Sequence, residues 1–242
     1  MPIRAVLWDI DDTLFDYTSA DRAGLAAHLL AEGTAGRYGA PHEALARWRR
    51  ITERHWNRFA AGHGTFQGQR RDRVREFAGL PAMSDAEADD WFARYVEHYR
   101  GAWALFPDVV PVLDALATTH RHGVLSNSSV ANQDPKLRHL GLRDRFEVLV
   151  CAAELGISKP DAGAFRAACA ELALEPHEVV YVGNEPEIDA RGAHDAGLAA
   201  VWLDRDGGRG SGPDGVHRIT GLDGLLRLLA ADTRFGARSG IR

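Results

Sequence analysis

None of the apolar runs in this 242-residue chain approaches the length needed to span a bilayer, so no transmembrane helix is expected. The only two cysteines, Cys151 and Cys169, form no C-x-x-C pair, which argues against a disulfide framework. Eleven histidines are present, yet there is no H-E-x-x-H, and His120-x-His122 has no acidic neighbours, so no zinc site is assigned. No G-x-G-x-x-G follows the first strand pattern, which removes the dinucleotide fingerprint and leaves Gly183 and Gly197 as turn glycines. Positive charge is not in excess: the net charge of −5 argues against nucleic acid as a partner. The opening residues lack the basic region, apolar segment and cleavage site of a secretory signal. The expectation is a soluble, cytoplasmic protein, monomer or homodimer, with no membrane partner. No internal repeat is visible.

What is present is an ordinary globular composition, 45% hydrophobic and 26% charged, in a chain long enough to bury a substantial core. Short apolar runs at about 3–8, 123–126, 148–151, 179–182 and 199–203 read as buried parallel strands, with helical patterns at βαβ spacing between the later ones. Helices are expected around 111–116, 135–140, 161–172, 186–196 and 222–229, the second with Asp134 as N-cap and Pro135 in its first turn. The segment 17–103 is rich in helical signals and too long for one crossover. Leu45, Trp48, Thr52, His55 and Phe59 fall on one helical face there. The stretch 205–215 reads as a flexible loop and 231–242 as a disordered tail.

Chemistry enters at Asp9-Ile10-Asp11-Asp12-Thr13, where the first apolar run ends on two carboxylates. Alternation along a strand returns Asp9 and Asp11 to one side. Acids at the carboxyl end of a buried strand are costly unless they are paired, hold a cation or do chemistry, and ligands of parallel α/β sheets bind at that edge. Three more segments follow in order. Gly123–Ser128 is a strand ending in Ser126 and Asn127, Ser158-Lys159-Pro160-Asp161 places a lysine before a helix, and Val180–Asp189 is a strand followed by Gly183-Asn184-Glu185 and then Asp189.

These four segments resemble the motifs of the haloacid dehalogenase-like hydrolase superfamily in its phosphatase form. The resemblance implies a three-layer Rossmann-like α/β core with a parallel sheet, formed by 1–16 and 104–230, and a small α-helical cap, 17–103, inserted after the first strand. It implies a Mg²⁺-dependent phosphatase acting on a small phosphorylated metabolite. Asp9 would be the nucleophile and Asp11 the general acid and base. Ser126, Asn127 and Lys159 would hold the phosphoryl group. The metal would sit on a carboxylate oxygen of Asp9, the carbonyl of Asp11 and Asn184, with Glu185 and Asp189 as supporting or alternative ligands. Asn184 departs from the family pattern, which has aspartate there, and an uncharged amide is a weaker ligand for a hard cation. Asp189 is expected to orient Lys159 or a water. Asp12 is assigned to the local turn and Thr13 to loop support.

Three alternatives stay open: a 2-haloacid dehalogenase-type hydrolase, favoured by Asn184 and disfavoured by Asp11; a phosphomutase, disfavoured by Asp12-Thr13; and a non-catalytic binding protein with a weakened metal site. Between Pro41 and Gly79 nine arginines (47, 49, 50, 54, 58, 70, 71, 73 and 75) face four acids. Solvated helix faces account for most of such a run, and one or two arginines are expected to hold a second anionic group of the substrate as the cap closes. His55 is expected to be a packed, hydrogen-bonded histidine.

Overall fold

The first apolar run becomes β1 (Ala5–Trp8), whose four residues are all buried. In the computed structural model, which describes residues 2–231, β1 lies at the centre of a six-stranded parallel sheet. The other strands are β2 (Arg121–Ser126), β3 (Val148–Cys151), β4 (Val179–Gly183), β5 (Ala199–Leu203) and β6 (His217–Ile219), and the order is β3-β2-β1-β4-β5-β6. Buried on both faces, β1 is flanked by layers on either side, as parallel sheets require. The chain runs outward from β1 to β3, then returns to pair β4 with the other edge of β1. That reversal opens a crevice at the carboxyl end of β1, where ligands of such sheets bind. β6 has no apolar run to announce it, since only Ile219 of its three residues is buried.

Two units are compact in themselves: Tyr17–Trp103, and the segments before and after it. The first is all helical, with α1 (Tyr17–Ala31), α2 (Pro41–Ala60), α3 (Phe66–Ala78) and α4 (Asp85–Gly101). Its core gathers Leu25, Leu29, Trp48, Ile51, Val74, Phe77, Trp91 and Tyr95. The buried stripe of α2 runs through Ala44, Trp48, Ile51 and His55, so Ile51 replaces the expected Leu45, Thr52 and Phe59, which are only half-buried. His55 is packed there, its Nε2 2.8 Å from Glu76 Oε2. Ser84 and Glu87 cap α4 reciprocally, Ser84 N–H donating to Glu87 Oε2 at 2.8 Å.

The sheet-bearing unit adds α5 (Val109–Leu116), α6 (Val130–His139), α7 (Ala152–Leu155), α8 (Ala162–Glu171), α9 (Gly192–Asp195) and α10 (Asp223–Ala231). Ala164, Phe165 and Ala168 of α8 pack on Leu7, Leu125 and Tyr181 of the sheet. A single π-helical turn, Pro186–Arg191, precedes α9. Ala231 closes α10, and the rest of the tail expected to be disordered lies outside the described residues. The stretch 205–215 is irregular but anchored at its start, Arg205 pairing with Asp108 at 3.0 Å.

One expectation is corrected. α6 begins at Val130, with Ser129 in the N-cap position, and Pro135 lies inside it. The cause is a long-range cap: the Glu154 carboxylate on α7 accepts from the Val130 N–H at 3.0 and 3.1 Å. A local N-cap at Asp134 is therefore not used. Instead Asp134 takes Arg138 and Arg143 as ion-pair partners.

Candidate active site

Asp9 follows the last residue of β1 and stays in register, its N–H donating to the Val182 carbonyl at 2.9 Å. Beyond it the chain folds back tightly. Leu14 and Phe15 N–H both donate to Ile10 C=O at 2.9 Å, and Asp12 adopts φ +58°, a left-handed conformation that aspartate tolerates. Asp12 thus serves the turn. The fold-back buries the Thr13 hydroxyl under the site, where it donates to Asp9 Oδ2 at 3.2 Å and to Asn184 Oδ1 at 3.4 Å.

Lys159 reaches Asp9 from the loop before α8. Its Nζ donates to Asp9 Oδ1 at 2.8 Å, to Asp189 Oδ1 at 2.7 Å and to the Tyr181 hydroxyl at 2.8 Å. All four side chains are buried. Burial works against the Lys159 ammonium, but Asp189 and Asp9 outweigh it and hold its pKa well above the ordinary value. Burial pushes the Asp9 carboxyl up to about 7; Lys159 opposes this, while Asp189 and Asp11 add to it. One cation shared by two acids leaves Asp9 the less supported. Asp189 also has the Glu185 N–H at 3.0 Å on its second oxygen. Held on both oxygens, Asp189 positions Lys159. Gly183 permits this approach, because a Cβ there would lie 2.5 Å from the Asp189 carboxyl.

Asp11 has a separate cation, Lys136 of α6, whose Nζ lies 2.5 Å from Oδ1. Gln133, one turn earlier, donates from Nε2 to Asp11 Oδ2 at 2.9 Å and to Ser126 Oγ at 3.1 Å. Accepting from Gln133 leaves the Ser126 hydroxyl hydrogen free to donate to an anion. Lys136 also sits 4.5 Å from the centroid of the Phe15 ring. Neither Gln133 nor Lys136 stands in the four motif segments. Composition carries the missing signal: of 29 basic residues only Lys136 and Lys159 are lysine, and both are buried.

The Asn127 side chain is turned to the loop that carries Lys159. It donates to Lys159 C=O at 2.9 Å and accepts from Lys159 N–H at 2.8 Å. An amide clamped on a backbone in both directions fixes Lys159, which leaves the backbone N–H groups of this turn to face an anion.

Among the described residues no cluster of three or more His, Cys, Asp or Glu side chains gathers to hold a metal. Asp9 Oδ2 and Asn184 Oδ1 share the Thr13 hydroxyl. This all-oxygen pair suits a hard cation such as Mg²⁺, with one formal charge where the family pattern supplies two. Glu185 lies beside it, Oε1 accepting from Asn184 Nδ2 at 3.2 Å, and burial raises its pKa. Trp202 Nε1 donates to the Asn184 carbonyl at 3.0 Å and so fixes the backbone there.

The sequence model of the haloacid dehalogenase-like hydrolase family matches residues 3–197. The chain is 30% identical to the phosphoserine phosphatase of Thermus thermophilus over 230 residues, covering 84% of this chain and 89% of the relative. It is 31% identical to the ribulose-1,5-bisphosphate 5-phosphatase of Halopiger xanaduensis over 207 residues, covering 83% and 84%. Among solved structures, the 2-haloacid dehalogenase of Pseudomonas syringae pv. Tomato superposes with a TM-score of 0.69 at 29% identity, covering 95% of this chain and 99% of the other.

Proposed function

Because the chain belongs to the haloacid dehalogenase-like hydrolase family, we propose that it hydrolyses a small phosphomonoester through an aspartyl-phosphate intermediate. One observation carries the reading: two acids leave one strand end, each held by its own lysine, Asp9 by Lys159 and Asp11 by Lys136. Two carboxylates in different surroundings suit two different tasks. An Asp9 oxygen attacks phosphorus in line, the Asp9 O–P bond forming as the bond to the leaving oxygen breaks. Asp11 gives its proton to that leaving oxygen. It then removes a proton from the water that splits the acyl phosphate, which frees inorganic phosphate and restores Asp9.

The Ser126 hydroxyl donates to the phosphoryl oxygens and the Lys159 ammonium sets its charge beside them, where negative charge concentrates in the transition state. Gln133 and Lys136 keep the Asp11 carboxyl on the same side as Asp9. Mg²⁺ would be held by an Asp9 oxygen, the Asp11 carbonyl and Asn184, and when bound supplies positive charge between an anionic nucleophile and an anionic substrate. The two phosphatase relatives support a phosphorylated metabolite as substrate, and both of their substrates carry a second anionic group.

The test is phosphate release over a panel of phosphomonoesters. Asp9→Asn should abolish it while leaving the thermal midpoint close to wild type, since an amide cannot attack phosphorus. Turnover near wild type in Asp9→Asn excludes the covalent mechanism. A second reading, halide displacement from a 2-haloacid, is favoured by Asn184 and by the 2-haloacid dehalogenase likeness. Asp11 with its dedicated lysine counts against it, because a halide leaves without a proton. Chloride release from 2-chloropropionate, with no phosphate release from any ester, would replace the first reading by the second.

A further inference from the structure

Five arginines of the helical unit meet an acid: Arg49 meets Asp21, Arg54 meets Glu76, Arg71 meets Asp85 and Asp89, Arg75 meets Asp85, and Arg94 meets Glu32. Arg70 and Arg73, one turn apart on α3, do not. Neither has a hydrogen-bond acceptor or an ion-pair partner among the described residues, yet both are half-buried. Both guanidinium groups lie against one ring, 5.0 Å (Arg70) and 5.3 Å (Arg73) from the centroid of Phe92. Phe66 lies 4.1 Å from Arg70, and Trp48 lies 4.8 Å from Arg73.

Arg73 Nε is shut away from solvent with no acceptor. The carboxylate whose charge reaches Arg73 is Asp21, but its oxygens already serve Arg49 at 2.8 Å and the Tyr95 hydroxyl at 3.0 Å. Burial lowers the pKa of both guanidiniums, and for Arg70 the charges of Arg73 and Arg100 lower it further.

Aromatic faces attract a cation but accept few of its N–H bonds. Packing alone would be met by methionine or leucine at either position, and a structural charge by an acid such as those that Arg49, Arg71, Arg75 and Arg94 receive. Two like charges against one ring, with unfilled planar donors, fit a missing acceptor that brings negative charge and paired oxygens.

We propose that Arg70 and Arg73 form an oxyanion site within the helical unit, taking a carboxylate or phosphate group on their guanidinium N–H donors. The site stands on the geometry of that unit alone. Assigning its anion to the substrate rests on the phosphatase reading, and it would then define the substrate class as phosphomonoesters with a second anionic group.

The experiment titrates malonate, which carries carboxylates and no phosphorus, into the full chain and follows the thermal midpoint. Malonate should raise the midpoint of wild type and of Arg58→Gln, an exposed arginine. Its apparent affinity should fall about tenfold or more in Arg70→Gln and Arg73→Met. Arg73→Lys, which keeps the charge without the planar fork, should lie between, and it carries the comparison if Arg73→Met does not fold.

Kinetics then separates the sources of the anion, using 3-phosphoglycerate and glycerol 3-phosphate, which differ by a carboxylate. A KM that rises about tenfold more for the former in Arg73→Met assigns the site to the substrate's second group. An equal KM change, with the malonate response lost, assigns it to a separate free anion. Malonate affinity unchanged in every Arg70 and Arg73 variant overturns the site. If wild type hydrolyses neither ester, the phosphatase reading fails for this substrate class while the malonate series still decides the site.

Discussion

The Lys159 ammonium has three oxygens within 2.8 Å, from Asp9, Asp189 and Tyr181, and three N–H bonds to give them. A planar guanidinium could not meet three acceptors grouped around one point, which gives a physical reason for lysine here in a chain that otherwise uses 27 arginines. Lys136 is the same choice at Asp11, and its role as a positioning residue can be tested. Lys136→Met leaves Asp11 with Gln133 alone, so the carboxyl should lose its fixed aim. The expected result is a kcat lowered by roughly tenfold to a hundredfold with little change in KM, and a larger loss on alkyl phosphates than on p-nitrophenyl phosphate, whose leaving group needs least protonation. Equal losses on both esters would mean that Lys136 does not act through Asp11. Asn184 invites the opposite kind of change. Asn184→Asp adds a negative charge beside Asp9 Oδ2 and should lower the Mg²⁺ concentration for half-maximal activity, together with a tighter Mg²⁺ affinity by calorimetry. Its effect is limited if Glu185, 3.2 Å from the Asn184 amide, already supplies that charge. In that case Glu185→Gln weakens Mg²⁺ binding and Asn184→Asp does not strengthen it.

At the scale of elements, what could be read in advance divides by where the cause lies along the chain. β1, β4 and the 123–126 part of β2 are buried on the sheet and carry apolar runs that mark them, and the polar residue that ends each run marks the functional edge. Asp9, Ser126 and Asn184 were visible for that reason. α6 was misplaced because its start is set by Glu154, 24 residues away, through a hydrogen bond that no local rule contains. The consequence reaches the site, since only a helix already running from Val130 sets Gln133 and Lys136 one turn apart on its buried side. Tyr181 escaped notice for another reason. It lies inside an apolar strand, where its ring packs on Phe165 at 5.0 Å, and only its hydroxyl, turned toward Lys159, is functional. For the Asn127 side chain, sequence shows an amide at a strand end but not the Lys159 backbone that it holds. In the helical unit the same limit applies to charge. Nine arginines in a row of helices read as a solvated face, and four of them (Arg49, Arg54, Arg71 and Arg75) find acids, but which of them lack one depends on how the helices pack.

Each of the two units buries a histidine whose pKa falls to about 4, which gives each a defined response to acid. In the helical unit, His28 stands edge-on to Trp91 at 4.2 Å, and both of its ring nitrogens are buried without an acceptor. Burial lowers its pKa to about 4; His98 and Arg94 act in the same direction, and Glu32 only partly against it. In the sheet-bearing unit, His122 accepts from Trp8 Nε1 on Nδ1 at 3.1 Å, so protonation there would set two donors against each other. Burial and His120 bring its pKa to about 4 as well, with Arg145 adding and Glu147 opposing. Unfolded, both rings bind a proton near 6.5. Between pH 6.5 and 4 these two rings therefore hold more protons unfolded than folded, and their contribution to stability falls as pH falls, while the Asp9 carboxyl, raised to about 7, works in the opposite direction. The loss should reach about 2 kcal/mol for each ring by pH 5. Urea midpoints at pH 7 and pH 5 measure it. His28→Phe keeps an aromatic ring among Trp91 and Tyr95, and His122→Gln keeps an acceptor for Trp8, so the pair of changes should flatten the profile without removing the packing. A wild-type profile as flat as that of the double variant would mean that the two rings do not carry the acid sensitivity of this fold.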